Sequence, residues 1–216
     1  MTSTSKEKWM TFRTRTYAIT DEGPHSDMKG TRHYLATLNA WLQFQGFILR
    51  SRNNYASCDS MKFNSAKKLL VHNIVAQLKS SKQCVLILTK NTKKLTGIIP
   101  FELTYAMDEC QLPLIIMYPD YESITTPQKL SIYWPKELRT RIENRQVKAV
   151  HIPFMPQPAK DSLRRFHVNG KQRLPNGYGH FSIQSYQEWG LQASHTVNVA
   201  MPQMKRRWPL SLKFAR

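Results

Sequence analysis

Two short runs that are apolar throughout constrain the fold of this chain most strongly. They are residues 84–88 (CVLIL) and residues 113–118 (PLIIMY). Strands that are apolar on both faces are typical of the middle of a parallel sheet, because helices cover both sides of such a sheet. Between the two runs, apolar residues recur at helical spacing over residues 98–110. The pattern therefore predicts two parallel strands joined by a helix.

The same alternation of strand and helix patterns extends over most of the chain. Further strands are predicted at residues 14–20, 47–49 and 147–154, and further helices at residues 31–43, 64–79 and 136–143. A chain that alternates in this way is typical of a doubly wound α/β fold, in which right-handed crossovers place helices on both faces of a parallel sheet. We therefore expect a five-stranded parallel sheet that binds ligands outside the carboxyl ends of its strands.

The ends of the chain differ in composition from its middle. We predict a basic N-terminal lead (residues 1–13), an α/β domain (residues 14–168) and a C-terminal extension (residues 169–216). The extension contains glycines, prolines and aromatic residues in no recognisable pattern, together with the basic cluster Lys205, Arg206 and Arg207. We expect it to be irregular in structure.

The charge of the chain indicates an anionic partner without identifying it. Lys and Arg number 32 against 14 Asp and Glu, which gives a net charge of +18. Such a surface attracts nucleic acid, phosphorylated small molecules or an acidic membrane face. The first ten residues lack an apolar core, and no apolar run approaches the roughly 18 residues of a membrane-spanning helix. We expect a cytoplasmic protein without a membrane partner.

Several enzyme classes and metal sites are not indicated by the sequence. It contains no GxxxxGK[ST] phosphate loop, no GxGxxG after the first strand, no HExxH and no GxSxG. No two of the seven histidines are four residues apart, and the three cysteines form no CxxC pair. We therefore expect neither a metal ion nor a disulfide framework.

Glu102 is the carboxylate with the most informative position. It falls in the first turns of the predicted helix 98–110, just after the loop that leaves the apolar strand 84–88. In a doubly wound sheet this is the carboxyl edge, where ligands bind. On a helical wheel Glu102 lies at the border of the apolar stripe, so its side chain is predicted to line a cleft or to favour the positive end of the helix dipole.

The order of these elements resembles that of a known family. Residues 80–118 (SSKQCVLILTKNTKKLTGIIPFELTYAMDECQLPLIIMY) are similar to the TIR-like proteins of bacterial Thoeris antiphage defence, the ThsB family. In that family an apolar strand and a polar loop precede a W-x-x-x-E-[IL] helix and a P-[IL]-I strand. Upstream, TYAITDEGPHSD, HYLATLNAWLQFQGFIL and NSAKKLLVHNIVAQLKSSK continue the likeness, which covers about half of the chain, roughly residues 14–120.

The resemblance implies a flavodoxin-like, TIR-like fold with NAD as the substrate. Proteins of this kind cleave the nicotinamide–ribose bond and make a cyclic or conjugated ADP-ribose messenger, which activates a partner effector when a phage-derived trigger is sensed. Glu102 matches the catalytic glutamate of the family. The chemistry agrees with a carboxylate there, because loss of nicotinamide leaves positive charge on the ribose. A homo-oligomer is compatible with this implied role.

Other positions extend or qualify the likeness. Ile98 stands four residues before Glu102, where the family usually has Trp. Asp21, after the first strand, and Asn64 and Ser65, at the start of the second helix, are where contacts to NAD would fall in this fold. Each also has a structural interpretation, because Asp ends strands and Asn or Ser caps helices.

Two other functions are compatible with the sequence. The same fold serves as an adaptor that assembles with other TIR-like domains, and Glu102 would then be a structural residue. Alternatively, the net charge of +18 and the cluster Lys205, Arg206 and Arg207 beside Trp208 indicate nucleic-acid binding. No helix-turn-helix or similar signature accompanies that basic segment.

Overall fold

The protein is an α/β fold built on one parallel sheet. The computed structural model describes residues 14–20, 31–43, 46–51, 63–89, 98–170, 172 and 174–192. Over these residues the sheet has six strands in the order β2-β1-β3-β4-β5-β6, and every pair of neighbouring strands is parallel. The strands are β1 (Thr14–Ile19), β2 (Phe47–Arg50), β3 (Gln83–Ile87), β4 (Leu114–Tyr118), β5 (Ala149–Pro153) and β6 (Gly179–His180).

Helices connect the strands. They are α1 (Thr31–Leu42), α2 (Phe63–Ser80), α3 (Ile99–Thr104), α4 (Lys136–Glu143), α5 (Pro156–Arg165) and α6 (Ile183–Glu188). A π-helical turn, Tyr105–Glu109, continues α3, and a 3₁₀ helix, Pro127–Tyr133, precedes α4. The predicted helix 98–110 is therefore a short α-helix followed by a wider, π-helical turn. The apolar residues of both parts face the same core layer.

The core has one layer on each face of the sheet. Side chains alternate along β1 and β3, so Tyr17 and Cys84 face one layer while Ala18 and Val85 face the other. The first layer includes buried residues of α2, α3 and α4, and we call it the α3 face. The second includes buried residues of α1 and α5, and we call it the α5 face.

The doubly wound class that the sequence predicts is confirmed. Strands β3, β4 and β5 are buried at every position, as their apolar sequences require. The chain runs from β1 outward to β2 and then returns to place β3 on the other side of β1. This reversal makes the gap between the carboxyl ends of β1 and β3 the topological switch point, where a fold of this type forms its binding crevice.

The sheet has one strand more than the sequence predicts. The sixth strand, β6, and α6 lie in the segment expected to be irregular, and Leu174, Phe181 and Tyr186 of that segment are buried in the α5 face. The sequence signal is weak because β6 has only two residues. A Cβ at Gly179 would overlap the Ala149 carbonyl oxygen, so the pairing of β6 with β5 requires glycine there. The domain boundary at residue 168 stays a prediction.

The described residues give three further results about classes of site. No helix among them is long and apolar enough to cross a membrane. Nowhere in these ranges do three or more His, Cys, Asp or Glu side chains gather as a metal ion would require. Cys84 and Cys110 are free thiols, and Cys58 lies outside the described residues.

Candidate functional site

Glu102 is positioned by the start of α3. Pro100 occupies one of the first two helical positions, where its missing N–H costs no hydrogen bond. The Glu102 N–H donates to the Ile98 carbonyl oxygen at 3.0 Å, so its backbone is already part of the helix. Because α3 follows β3 in a parallel sheet, this first turn lies at the carboxyl edge, as the sequence predicts.

The Glu102 side chain points into the protein. Only 1% of the residue is exposed, and the Tyr17 hydroxyl of β1 donates a hydrogen bond to Glu102 Oε1 at 3.0 Å. The sequence placed Glu102 at the border of the apolar stripe, and the structure places it on the buried side. The difference arises because β1 supplies a polar partner from 85 residues away in the sequence. The carboxyl group therefore lies between α3 and β1, next to the switch point.

Cys84 belongs to the same neighbourhood but is not set up as a nucleophile. It is paired in register with Tyr17 across β1 and β3, and it is fully buried. Burial raises the pKa of the Cys84 thiol, and the charges of Glu102 and Cys110 raise it further. The sulfur is therefore a neutral thiol at pH 7 and acts as a small core side chain.

Two of the other predicted site residues, Asn64 and Ser65, lie at the same edge of the sheet as Glu102. Asn64 and Ser65 lie in the first turn of α2, which follows β2, but their side chains lie outside the described part of the chain. Asp21 follows β1 and also lies outside the described residues. Contacts from these three residues to a ligand stay predictions. Ile98 is the N-cap residue of α3 and packs on the core of the α3 face, so an aliphatic side chain fills that position.

A second buried polar cluster, which we call the His151 network, lies further along the α3 face. Trp134 Nε1 donates to the Tyr118 hydroxyl oxygen at 2.8 Å, and the Tyr118 hydroxyl lies 2.8 Å from His151 Nδ1. His151 Nε2 lies 3.0 Å from the Gly177 carbonyl oxygen. Because that carbonyl can only accept, the hydrogen is on Nε2, and Nδ1 accepts from Tyr118.

The His151 network is electrically neutral. His151 is 0% exposed, and burial lowers its pKa from 6.5 to about 4, although the hydrogen bond to Gly177 acts in the opposite direction. Burial also favours the neutral form of Tyr118, because it raises the pKa of the Tyr118 hydroxyl group. Gly177 has φ +85, and a Cβ there would lie 2.8 Å from the Ile142 carbonyl oxygen, so glycine is required where the network ends.

Sequence patterns gave no signal for the His151 network. Its members come from β4, the residue after the 3₁₀ helix, β5 and the segment before β6, and their spacing along the chain has no period. The sequence also gave no signal for the role of Tyr17, because an aromatic residue is common in a buried strand such as β1. Both clusters depend on contacts between distant parts of the chain, which only the sheet order reveals.

The fold and this site define a doubly wound α/β protein of flavodoxin-like strand order with a buried carboxyl group beside its switch point. No family model matches the sequence, and no curated protein is significantly similar to it. A 2-deoxyribosyltransferase from Bacillus psychrosaccharolyticus is similar in structure at 16% identity and a TM-score of 0.40, over 55% of this chain and 79% of that one. A conserved protein from Enterococcus faecalis V583 is similar at 13% identity and a TM-score of 0.40, over 82% of this chain and 96% of that one. At these TM-scores neither likeness indicates an activity.

Proposed function

We propose that this chain is a TIR-like enzyme that cleaves NAD at the nicotinamide–ribose bond, with Glu102 as its catalytic residue. The observation that carries the proposal is the position of the Glu102 carboxyl group. It lies in the first turn of α3, at the carboxyl edge beside the switch point, and it accepts a hydrogen bond from Tyr17 of the adjoining strand at 3.0 Å. Ligand sites of doubly wound proteins form at this place.

The reaction needs few protein groups. When the bond between ribose C1′ and the nicotinamide nitrogen breaks, its electron pair stays on nitrogen, and the pyridinium leaves as neutral nicotinamide. Positive charge then develops on the ribose, and a fixed carboxylate beside it stabilises the transition state. Water or another hydroxyl group adds to C1′ and releases its proton. The Tyr17 hydroxyl acts as a positioning group, because its hydrogen bond orients Glu102 Oε1.

The burial of Glu102 sets a condition on the proposal. At 1% exposure the carboxyl group is not in contact with solvent, so the ribose reaches it only when its surroundings rearrange. A charge interaction is stronger in a site that excludes water, which makes such a buried carboxylate effective once the substrate is bound. We expect the resting chain to turn over NAD slowly and the triggered chain to turn it over quickly.

The signalling role is the second part of the proposal. The product would be a cyclic or conjugated ADP-ribose that diffuses to a partner effector after a phage-derived trigger is sensed. The support for this part is the resemblance of residues 80–118 to the Thoeris TIR-like proteins. Binding of the pyrophosphate would use backbone N–H groups at a helix start on the carboxyl edge, such as the start of α2.

A product analysis with matched variants tests the proposal. Lysates of phage-infected cells that express the wild type, Glu102→Gln or Glu109→Gln are incubated with NAD, and nicotinamide and ADP-ribose products are followed by mass. Glu109 is an exposed acid of the adjoining π-helical turn, so its variant removes the same charge away from the site. We expect product from the wild type and Glu109→Gln, and at least about 100-fold less from Glu102→Gln. Equal turnover by all three would overturn the assignment of Glu102.

The burial of Glu102 also favours a second candidate, a non-catalytic adaptor with this fold. A carboxyl group that is 1% exposed and hydrogen-bonded to Tyr17 has the surroundings of a structural residue. In that case no NAD would be consumed above the level of cells with an empty vector. Glu102→Gln and the wild type would instead capture the same partner domain, and only a destabilised fold would reduce capture.

A further inference from the structure

Exposed cations from several elements meet at the amino edge of the sheet, where the parallel strands begin. Helices that connect parallel strands run back across the sheet, so their last turns end at this edge too. The cations are Arg15 of β1, Lys79 of α2, Lys82 before β3, Arg145 after α4 and Lys148 before β5. We call these five residues the amino-edge surface. It lies at the opposite edge of the sheet from the candidate site.

Arg15 and Lys82 lie side by side on neighbouring strands. The Lys82 N–H donates to the Arg15 carbonyl oxygen at 2.8 Å, which continues the register of β1 with β3 by one residue. Each lies two residues before a side chain of the α3 face, Tyr17 or Cys84, so both belong to that face of the sheet. Like charges at paired positions repel. An anion that contacts both cations would remove this repulsion.

Lys148 continues the row of cations two strands further along. The Leu114 N–H donates to the Lys148 carbonyl oxygen at 2.9 Å, and the Cys84 N–H donates to the Pro113 carbonyl oxygen at 2.9 Å. The starts of β3, β4 and β5 are therefore level. At about 4.8 Å per strand, the row from Arg15 to Lys148 is about 15 Å long. A row of this length can contact several phosphates of a nucleic acid, whose charges lie about 3.4 Å apart along each strand.

The fold itself does not neutralise the charge of the amino-edge surface. Within the described parts of the chain, none of its five cations forms an ion pair. Two exposed carboxylates, Glu109 and Glu143, end the neighbouring helices, so positive charge predominates. Lys79 and Arg145 lie at helix ends, where the negative end of the helix dipole favours a cation. Strands have only small net dipoles, so the three cations at strand starts have no such explanation.

The other groups at this edge indicate which kind of anion it fits. In the described ranges Phe101 is the one exposed aromatic residue, and it lies at the carboxyl edge, so unpaired bases have no exposed ring to stack on here. Helices meet the amino edge by their ends, so they offer no apolar face that could enter a bilayer. Val168, whose N–H donates to the Lys82 carbonyl oxygen, is the large apolar side chain exposed here. Charge is therefore the main feature that a partner can recognise.

We propose that the amino-edge surface binds the phosphate backbone of a nucleic-acid duplex without reading its sequence. Arg15, Lys82 and Lys148 contact the phosphates, since guanidinium and ammonium groups donate charge-assisted hydrogen bonds to phosphate oxygens. Such contacts position a protein on a duplex and carry no sequence information. The net charge of +18 attracts a polyanion and repels a second copy of this chain. The surface is independent of Glu102 and of the proposed NAD cleavage.

Fluorescence anisotropy of a labelled DNA duplex tests the surface. The full-length protein is titrated into a duplex of about 20 base pairs, between about 50 and 200 mM salt. A duplex of a different sequence and the single strand of the first duplex are titrated in the same way. The test variant is Arg15→Gln/Lys82→Gln/Lys148→Gln. All three residues are exposed, and their removal relieves repulsion, so the variant should unfold in urea no earlier than the wild type.

The matched control removes the same charge away from the amino edge. It is Lys68→Gln/Lys129→Gln/Lys136→Gln, which changes exposed cations of α2, the 3₁₀ helix and the start of α4. Both variants keep the basic cluster at residues 205–207, which lies outside the described residues. A difference between them therefore reports the amino-edge surface and not the net charge or that cluster.

We expect the test variant to bind the duplex at least about tenfold more weakly than the control at the lowest salt, since it loses three phosphate contacts. Its plot of log affinity against log salt should also be flatter, by about 2 to 3 in slope, because fewer counterions are released on binding. The two duplexes should bind the wild type equally, and the single strand should bind more weakly.

Other outcomes would overturn the proposal. Equal affinity and equal salt dependence of the test variant and its control would show that these cations do not contact the duplex. Tighter binding of the single strand would contradict a duplex as the ligand. Vesicles that contain phosphatidylserine are tested by sedimentation with the same proteins. If the test variant lost vesicle binding but bound the duplex as the control does, the surface would belong to a membrane partner instead.

Discussion

Two buried polar clusters occupy the same face of the sheet, and they differ in what they can do. The His151 network joins Trp134, Tyr118, His151 and the Gly177 carbonyl in a series of neutral hydrogen bonds. The Tyr17–Glu102 pair instead brings a group that can carry charge to the carboxyl edge beside the switch point. The first arrangement ties β4, β5 and the segment before β6 together. The second places a carboxyl group where a doubly wound fold binds ligands.

The difference between the two clusters predicts that one contributes mainly to stability and the other to activity. Neutral buried groups that are hydrogen-bonded to one another stabilise a fold, and the loss of one member leaves its partners unsatisfied. Burial of a carboxyl group costs free energy unless the group has hydrogen-bond or charge partners. A carboxyl group that is buried at the ligand-binding edge of a sheet is therefore a candidate functional group. We therefore expect changes in the His151 network to reduce stability, and changes at Glu102 to reduce turnover.

The largest effect on stability is expected for Tyr118→Phe. The substitution removes the hydroxyl group that accepts from Trp134 Nε1 and donates to His151 Nδ1, so two buried polar atoms lose their partners. At about 1–3 kcal/mol for each unsatisfied group, we expect a loss of about 4 kcal/mol in the free energy of unfolding. Urea unfolding of the variant and the wild type at pH 7 measures the difference. A loss below about 1 kcal/mol would contradict the role given to the network.

We expect acid to reduce the contribution of the His151 network to the free energy of unfolding. Because burial lowers the pKa of His151 from 6.5 to about 4, the unfolded chain binds its proton more readily than the folded chain does. The contribution to stability is complete above pH 6.5 and is lost as the pH falls towards 4, by about 3 kcal/mol in total.

Urea unfolding at pH 7, 5.5 and 4.5 measures this dependence, with His151→Gln as the matched variant. The two proteins share every other ionisable group. The difference between the two curves therefore reports His151. We expect the curve of His151→Gln to be flatter over this range, and parallel curves would show that His151 does not supply the dependence.

A smaller effect on stability is expected for Tyr17→Phe, which removes the donor to Glu102 Oε1 but keeps the ring in the core. We expect a loss of about 1–3 kcal/mol in the free energy of unfolding, because one buried carboxyl oxygen loses a hydrogen-bond donor. If Tyr17 positions the catalytic carboxyl group, NAD turnover should also fall about tenfold, which corresponds to 1.4 kcal/mol. Unfolding in urea and nicotinamide release are measured on the same preparation. Reduced stability with unchanged turnover would restrict Tyr17 to a structural role.

Much of the fold could be predicted from the sequence because its central strands are unusually apolar. The predicted strand at residues 84–88 and the observed β3 (Gln83–Ile87) differ by one residue at each end, and the predicted helix at 136–143 matches α4. The strand β6 and the helices α5 and α6 were not predicted. Their sequences contain prolines or few apolar residues, and packing on the rest of the sheet supplies their stability.

The site was predictable only in part, for the same physical reason. The position of Glu102 at the carboxyl edge follows from local pattern and strand order, both of which the sequence carries. Its burial does not follow, because the partner Tyr17 is 85 residues away. The His151 network was not predicted, since its members meet only after β4, β5 and the segment before β6 have come together.

The most direct measurement of the central claim is the rate of nicotinamide release from NAD by Glu102→Gln and Tyr118→Phe, side by side with the wild type. Lysates of phage-infected cells are used at a temperature where all three proteins are folded, with the amount of folded protein matched. We predict that Glu102→Gln loses at least about 100-fold in rate while its stability changes little, and that Tyr118→Phe keeps its rate despite its lower stability. Full turnover by folded Glu102→Gln would contradict the account.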